Sequence, residues 1–177
     1  MDECVRPSMV QRFLLCTDGT VTRVLEDFAG EPVLVRKLCE ELTKATSPVH
    51  LLDIREPEEV LVRNVLLQGS KTGRNFVYAE SLLRTESLSS DLLEALLVTK
   101  TPLGLLFRER RLETFRELVT HGMEDAGDWA VHFGLDPAAP AFSRTYRIIH
   151  SQRPLALITE KFPVGGALQD APARARS

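Results

Sequence analysis

Four β-rich runs, arranged as two pairs with a short turn inside each pair, constrain the fold of this chain more than any other feature. The first pair covers residues 59–69 and 74–84, and the turn-forming segment GSKTG joins its members. The second pair lies within residues 144–162 and turns near Ser151 to Arg153. Apolar and β-branched runs with such short connections predict two antiparallel hairpins.

Helical patterns occur between these hairpins. Residues 89–100, SSDLLEALLVTK, carry leucines at helical spacing, and Asp91 with Glu94 has the spacing of a capping pair. Residues 111–119 fit either a strand or a helix. Hairpins interspersed with helices predict an α+β fold, an antiparallel β-sheet with helices packed on one side.

Other segments are marked by their turn residues. Thr20 predicts the start of a short helix that ends at Gly30, and the segment after it, residues 33–42, favours a strand. Residues 123–142 are rich in Gly, Pro, Ala and Asp, which predicts a long loop or flap. Trp129, within that segment, is interpreted as a packing anchor.

Glu160 interrupts the apolar face of the last predicted strand. Side chains of a strand alternate between its two faces, so one face of RPLALITEKFP carries Ala156, Ile158, Glu160 and Phe162. A carboxylate directed toward a core is costly unless it is paired, protonated or used. Glu160 is therefore either a salt-bridged strand residue or a functional group that donates or accepts a proton or holds a hydroxyl.

Arg63 occupies the same kind of position on the first predicted hairpin. Its face of VLVRNVLLQ is otherwise apolar, with Leu61, Val65 and Leu67. One interpretation is a structural ion pair with Glu160 or with other neighbours. The other is that Arg63 and Glu160 line a closed pocket, where an arginine grips a carboxylate through two parallel hydrogen bonds.

The segment TPLG, residues 101–104, resembles the start of a helix. Thr101 suits the N-cap and Pro102 suits the first helical position. The amides of Leu103 and Gly104 would then lack intrahelical partners, as at an anion-binding helix start. The alternative is a capped helix start with no further role.

Composition excludes several classes of function. The net charge is −3 and no long basic run precedes the last few residues, which argues against nucleic acid as a partner. No apolar stretch reaches the roughly 18 residues of a membrane span, and the N-terminus lacks a signal-peptide pattern. We therefore expect a soluble, cytoplasmic protein without a membrane partner, and a monomer, because no long exposed apolar stripe remains once the core is assigned.

Residue spacing argues against metal, nucleotide and disulfide chemistry. The cysteines are odd in number and lack metal-type spacing, and the four histidines are scattered, so we predict reduced thiols and no metal site. The chain contains no G-x-S-x-G, P-loop or G-x-G-x-x-G pattern. The three cysteines are Cys4, Cys16 and Cys39.

Five motifs occur in an order that resembles one known family. The segments DGTVTRVL, VRNVLLQG, VYAESLL, TPLG and YRIIHSQRPLALITEKF follow one another between about Leu14 and Pro163. Together they resemble the chorismate pyruvate-lyase family, also called 4-hydroxybenzoate synthases. The resemblance is greatest to the branch with AES after the first hairpin strand; the ubiquinone-pathway branch is expected to have an arginine near Glu80.

The resemblance implies a fold, a reaction and a set of site residues. It implies an antiparallel sheet with helices that encloses a ligand under flaps, and elimination of pyruvate from chorismate to leave 4-hydroxybenzoate, with no cofactor or metal. It places the ligand arginine at Arg63 and the glutamate near the ring oxygen at Glu160, and these two are the candidate catalytic residues. It also places a backbone amide for the ring carboxylate at Leu103 and a flap contact near Val21.

Two alternatives to the lyase remain open at this point. One is a relative recruited to another reaction on an aromatic or polyketide-like acid, such as a cyclisation. The other is a non-catalytic small-molecule sensor, since regulator effector domains have a similar fold; the 13 or so residues before Leu14 are expected to leave no room for a DNA-binding domain. The domain is predicted to span residues 1–164, followed by a disordered tail at 165–177.

Overall fold

The strands form a single antiparallel sheet in the computed structural model, which describes residues 6–17 and 20–168. Neighbours follow the order β1-β2-β3-β6-β5-β4. Both predicted hairpins are confirmed, as β2–β3 and β5–β6. The strand bounds are β1 (Val33–Lys44), β2 (Glu59–Gly69), β3 (Asn75–Arg84), β4 (Thr114–Asp125), β5 (Pro140–His150) and β6 (Arg153–Pro163).

The turn of the second hairpin lies where the sequence places it. Ser151 and Gln152 both have positive φ, 50° and 62°, as two-residue hairpin turns of the primed type require. The segment that fitted either a strand or a helix belongs mainly to β4, whose side chains are almost all exposed. An edge strand with both faces exposed to solvent needs no alternation of polar and apolar residues, so its sequence did not distinguish a strand from a helix.

Within the described residues, four α-helices pack on one face of the sheet, as predicted. They are α1 (Met9–Cys16), α2 (Val21–Ala29), α3 (Ser90–Val98) and α4 (Leu103–Glu109). Helix α2 starts after Thr20 and ends at Gly30, which has a left-handed φ of 68°. The cap of α3 differs from the prediction: Ser89, not the Asp91–Glu94 pair, accepts a hydrogen bond from the amide of Leu92.

Two apolar clusters fill the space between this face and the helices. One joins α1 and α2 to side chains such as Val65 and Phe162. The other joins α3 and α4 to side chains such as Leu61 and Ile158. Each fully buried side chain of this size contributes about 1.5–3 kcal/mol, and the two clusters leave a seam between them across the middle of the sheet.

The opposite face is covered by the segment that was predicted to be a loop or flap. Its residues Gly127–Phe133 form a 3-10 helix. Trp129 stacks on Tyr78 of β3 with ring centroids 5.9 Å apart, so its interpretation as a packing anchor is confirmed. This segment lies on the face away from the seam and does not close over it.

The described chain continues past β6 as far as Leu168. Gly166–Leu168 forms a 3-10 turn, and Leu168 is 1% exposed within the cluster of α1 and α2. Four residues of the predicted tail, 165–168, therefore lie within the described part of the chain. The rest of that tail, residues 169–177, lies outside the described residues.

A buried glutamate fixes the turn between β2 and β3. The carboxylate of Glu31 accepts hydrogen bonds from the amides of Lys71 and Thr72 and from the Thr72 hydroxyl. The hydroxyl is the main cause that lowers the pKa of this carboxyl. Gly69 lies directly against the same carboxylate, and a Cβ at this position would overlap it.

We expect Gly69→Ala to lower the free energy of unfolding by about 1–3 kcal/mol, because the added methyl displaces Glu31 from the turn. Urea denaturation measures this change. Gly122→Ala is the matched control, since it lies on exposed β4 with no atom within 4 Å of the added Cβ, and it should change stability by less than about 0.5 kcal/mol. Equal effects in both variants would contradict the role assigned to Gly69.

Candidate functional site

A small cavity lies in the seam between the two apolar clusters. Its volume is about 70 Å³, and its floor is the helical face of the sheet. The starts of α2 and α4 form its other wall. All four residues that the sequence and the resemblance singled out line this one cavity: Val21, Arg63, Leu103 and Glu160.

Arg63 is held by a chain of charges that leads to α3. It is 3% exposed, and its Nε donates to Glu40 Oε2 at 2.6 Å. Glu40 Oε1 in turn accepts from Lys37 Nζ at 2.6 Å, and Lys37 also donates to the carbonyls of Leu96 and Leu97 at the end of α3. The bond to Glu40 uses one of five guanidinium donors, and the other four belong to the two Nη groups.

A β-bulge in β1 makes this arrangement possible. The register with β2 shifts between Lys37 and Cys39, so Leu38 is the extra residue. Side chains on opposite sides of a bulge change face relative to simple alternation. Lys37 and Glu40, three residues apart, therefore reach the same face as Arg63.

Glu160 is held by two neighbours on β5. Arg144 Nε donates to Glu160 Oε2 at 2.7 Å, and the Tyr146 hydroxyl donates to Oε1 at 3.1 Å. Arg144 is 2% exposed and also donates through Nη1 to the Thr17 carbonyl at 2.6 Å. Arg144 therefore supplies the counter-charge of the Glu160 carboxylate.

Burial keeps Tyr146 in its neutral form. Desolvation raises the pKa of the Tyr146 phenol far above its ordinary value, and the nearby charge of Glu160 raises it further. The hydroxyl therefore remains a donor to Glu160. The Arg144 guanidinium also lies 5.1 Å from the Tyr146 ring centroid, within cation–π range.

Arg63 and Glu160 are both paired, but not with each other. Arg63 stands opposite Ser81 of β3, and Glu160 stands opposite Ala79 of the same strand. They are thus two strand intervals apart, about 10 Å across the sheet. Each group therefore has a structural partner, and both line one cavity with the small side chain of Ala79 in its floor.

The two helix starts meet the cavity through their first residues, Val21 and Leu103. The first amides of a helix have no intrahelical partner. For α4 the start is one residue later than predicted, since Pro102 is the N-cap and Thr101 lies outside the helix. The fixed φ of proline accommodates either position, so the sequence alone does not separate them.

Sequence reasoning missed three charged or polar residues of this region. Arg144 is buried behind Glu160, and its alternation with Phe142 and Tyr146 on β5 is the signal that could have revealed this. The same alternation along β5 places Tyr146 on the buried face. Arg116, which also lines the cavity, comes from the ambiguous edge strand β4 and gave none.

Other sequence predictions concern residues away from the cavity. The Glu80 side chain is 45% exposed, and its carboxylate lies 3.9 Å from Lys161 Nζ. Cys16 and Cys39 are free thiols, whereas Cys4 lies outside the described residues. In residues 6–17 and 20–168, no group of three or more His, Cys, Asp or Glu side chains could hold a metal ion. No helix in that part of the chain has the length and apolar character of a membrane span.

Comparison with known proteins identifies the sequence relatives of this chain. A sequence model described as chorismate pyruvate-lyase, Rv2949c-like, matches residues 15–170. A protein from Mycobacterium leprae (strain TN) named chorismate pyruvate-lyase is 33% identical over 162 residues, which cover 91% of this chain and 77% of the relative. Its namesake from Mycobacterium tuberculosis (strain CDC 1551 / Oshkosh) is 30% identical over 165 residues, with 91% and 82% covered.

Solved structures show a likeness in fold alone. The effector domain of PhnF from Mycobacterium smegmatis superposes with a TM-score of 0.66 at 14% identity, over 83% of this chain and 90% of that domain. This chain therefore shares its fold with that effector domain.

Proposed function

Because the chain belongs to the Rv2949c-like chorismate pyruvate-lyase family, we propose that it is a carbon–oxygen lyase that eliminates pyruvate from chorismate and leaves 4-hydroxybenzoate. The observation that carries this proposal is the seam cavity, which brings Arg63, the start of α4 and Glu160 together. A basic group, free amides and a carboxylate in one enclosed space suit a ring that bears an acid at one end and a hydroxyl at the other.

The ring carboxylate is assigned to Arg63 and the amide of Leu103. The two Nη groups of Arg63 can donate two parallel hydrogen bonds to a carboxylate. The ion pair with Glu40 fixes the guanidinium before the ligand arrives, so little side-chain entropy is lost on binding. The contact with Val21 at the start of α2 encloses the other side of the ring.

Glu160 is assigned to the opposite side of the ring, beside the C4 hydroxyl. Aromatisation removes the hydrogen at C4 and breaks the ether bond at C3. In this proposal the Glu160 carboxylate accepts a hydrogen bond from the hydroxyl and takes the C4 proton as a general base. The departing enolpyruvate takes up one proton and becomes pyruvate, so the atoms of chorismate are divided between the two products.

Aromatisation supplies the driving force, so the protein needs no strong nucleophile. Its contribution is to hold a reactive shape in a site from which water is excluded and to provide fixed charges. Arg144 and the Tyr146 hydroxyl hold Glu160 in one orientation. The proposed reaction uses no cofactor or metal, and we propose that the enzyme acts as a cytoplasmic monomer.

The cavity must enlarge to admit the substrate. Its volume of about 70 Å³ is well below the roughly 300–1,000 Å³ of ordinary ligand sites. A second cavity of about 90 Å³ lies beside it and shares Thr20, Thr22 and Pro102. We propose that the starts of α2 and α4 are the flaps, and that their separation joins the two spaces.

The test is to incubate purified protein with chorismate and to follow 4-hydroxybenzoate and pyruvate by chromatography. We expect both products in equal amounts, at a rate proportional to protein concentration and above that of a protein-free control for spontaneous decay. Release of one product without the other would contradict this elimination.

The fold shared with the PhnF effector domain favours a second candidate, a binding module without catalysis. A module of this kind would bind 4-hydroxybenzoate or chorismate tightly and leave chorismate unchanged. The same incubation, followed by calorimetric titration with both compounds, separates the two functions.

A further inference from the structure

Arg116 is a second arginine of the cavity wall, and the resemblance assigns it no role. It lies on β4, opposite Ile148 of β5. Most of β4 is exposed, but the Arg116 side chain turns inward and lines the cavity with Arg63 and Glu160. Its guanidinium lies 5.9 Å from the ring centroid of Tyr146.

Close packing at the start of α4 holds this guanidinium in place. A Cβ on Gly104 would lie 2.9 Å from Arg116 Nη2 and 3.6 Å from the Thr20 hydroxyl oxygen. The absence of a side chain at Gly104 therefore gives the arginine room beneath the helix start. Arg116 thus occupies the part of the wall where α2 and α4 approach each other.

The two arginines lie on the same face of the sheet and reach the cavity from strands on either side of it. Arg63 is on β2 and Arg116 is on β4, with three strands between them in the order β3, β6 and β5. Their backbones are therefore four strand intervals apart, about 19 Å, and each long side chain extends inward.

Chorismate carries two carboxylates, one on the ring and one on the enolpyruvyl group. We propose that Arg116 binds the enolpyruvyl carboxylate while Arg63 binds the ring carboxylate, so that Arg116 selects for the substrate over the product. This inference rests on the proposed lyase function. After elimination, 4-hydroxybenzoate retains only the ring carboxylate, and the contact with Arg116 leaves with pyruvate.

The experiment compares a dicarboxylate with a monocarboxylate. The dicarboxylate is 3-(1-carboxyvinyloxy)benzoate, which has both acid groups of chorismate on a stable aromatic ring, and the monocarboxylate is 4-hydroxybenzoate. Calorimetric titration of the wild type, Arg116→Gln and Arg116→Lys gives the Kd of each compound. Chorismate turnover gives KM and kcat for the same proteins.

We expect Arg116→Gln to weaken binding of the dicarboxylate roughly 10- to 100-fold, as the loss of a hydrogen bond between charged groups predicts. Its Kd for 4-hydroxybenzoate should stay within about twofold of the wild type, and KM for chorismate should rise in parallel with the dicarboxylate Kd. Arg116→Lys keeps the charge and should recover part of the lost affinity. Arg147→Gln, on the other face of neighbouring β5 and paired with Glu117, should change nothing.

Equal loss of affinity for both compounds in Arg116→Gln would show a merely structural role through Tyr146 and would overturn the inference. Unchanged affinity for both would also overturn it. Thermal melting identifies a folding defect. If the glutamine variant does not fold, Arg116→Lys provides the test, and an unchanged ratio of its Kd for the dicarboxylate to its Kd for the monocarboxylate counts against the proposal. Failure of the lyase proposal is a different result: the wild type would bind the dicarboxylate in an Arg116-dependent way and leave chorismate intact.

Discussion

Arg63→Ala is expected to lower the affinity for chorismate and for 4-hydroxybenzoate by at least about 100-fold, because two hydrogen bonds between charged groups are lost together. The effect is large since Arg63 is buried at the seam and no water replaces it easily. Calorimetry with 4-hydroxybenzoate and steady-state kinetics with chorismate measure the two losses. Near-normal affinity in a folded variant would remove Arg63 from the site.

Two controls separate binding from folding in this variant. Arg36→Ala removes an exposed arginine of β1 and should leave both affinities unchanged. Arg63→Lys keeps a positive charge beside Glu40 but loses the planar fork, so it should fold normally and still bind weakly. Loss of binding in Arg63→Ala together with normal binding in Arg63→Lys would show that charge alone is required.

Glu160→Gln is expected to slow turnover about 10²- to 10⁴-fold, the range for loss of a positioned general base, and to weaken 4-hydroxybenzoate binding by less than about tenfold. Glutamine still accepts a hydrogen bond from the product hydroxyl but takes no proton. Rapid-quench measurement of a single turnover gives the chemical rate, and calorimetry gives the product Kd. Equal fold losses in the chemical rate and in the affinity for 4-hydroxybenzoate would argue against a role in proton transfer.

The buried partner of Glu160 requires a further control. Arg144 is left without its counter-charge in Glu160→Gln, and breaking a buried pair costs about 3–5 kcal/mol. The double variant Glu160→Gln with Arg144→Met removes both charges and should regain most of that stability. If turnover also returns in the double variant, the contribution of Glu160 is structural. Tyr146→Phe, which removes only the second hydrogen bond to Glu160, should slow turnover far less.

Alternation along regular strands accounts for what the sequence predicted well. Arg63 and Glu160 both lie in stretches of strand without a bulge, so counting residues by twos gave the correct face. Applied to β5, the same count places Arg144 on the buried face of the sheet. The hairpins were predictable for a related reason, since their turns are short and their flanking runs are strongly apolar.

Irregular and edge positions account for the rest. The bulge at Leu38 changes the face of every later residue of β1, so Glu40 could not be recognised as the partner of Arg63. Arg116 belongs to an edge strand whose exposed residues show no period, and its inward direction depends on packing with Gly104. These contacts join elements that are distant in sequence, so the residue pattern within one segment does not reveal them.

The small volume of the seam cavity has a kinetic consequence. In the proposed reaction a ring with two acid groups enters this space of about 70 Å³ and a ring with one acid group leaves it. Each catalytic cycle would then need two separations of the α2 and α4 starts. Such segment motions are often slower than the chemical step. The first equivalent of 4-hydroxybenzoate should then form in a rapid burst, and the steady state that follows should run at the rate of product escape.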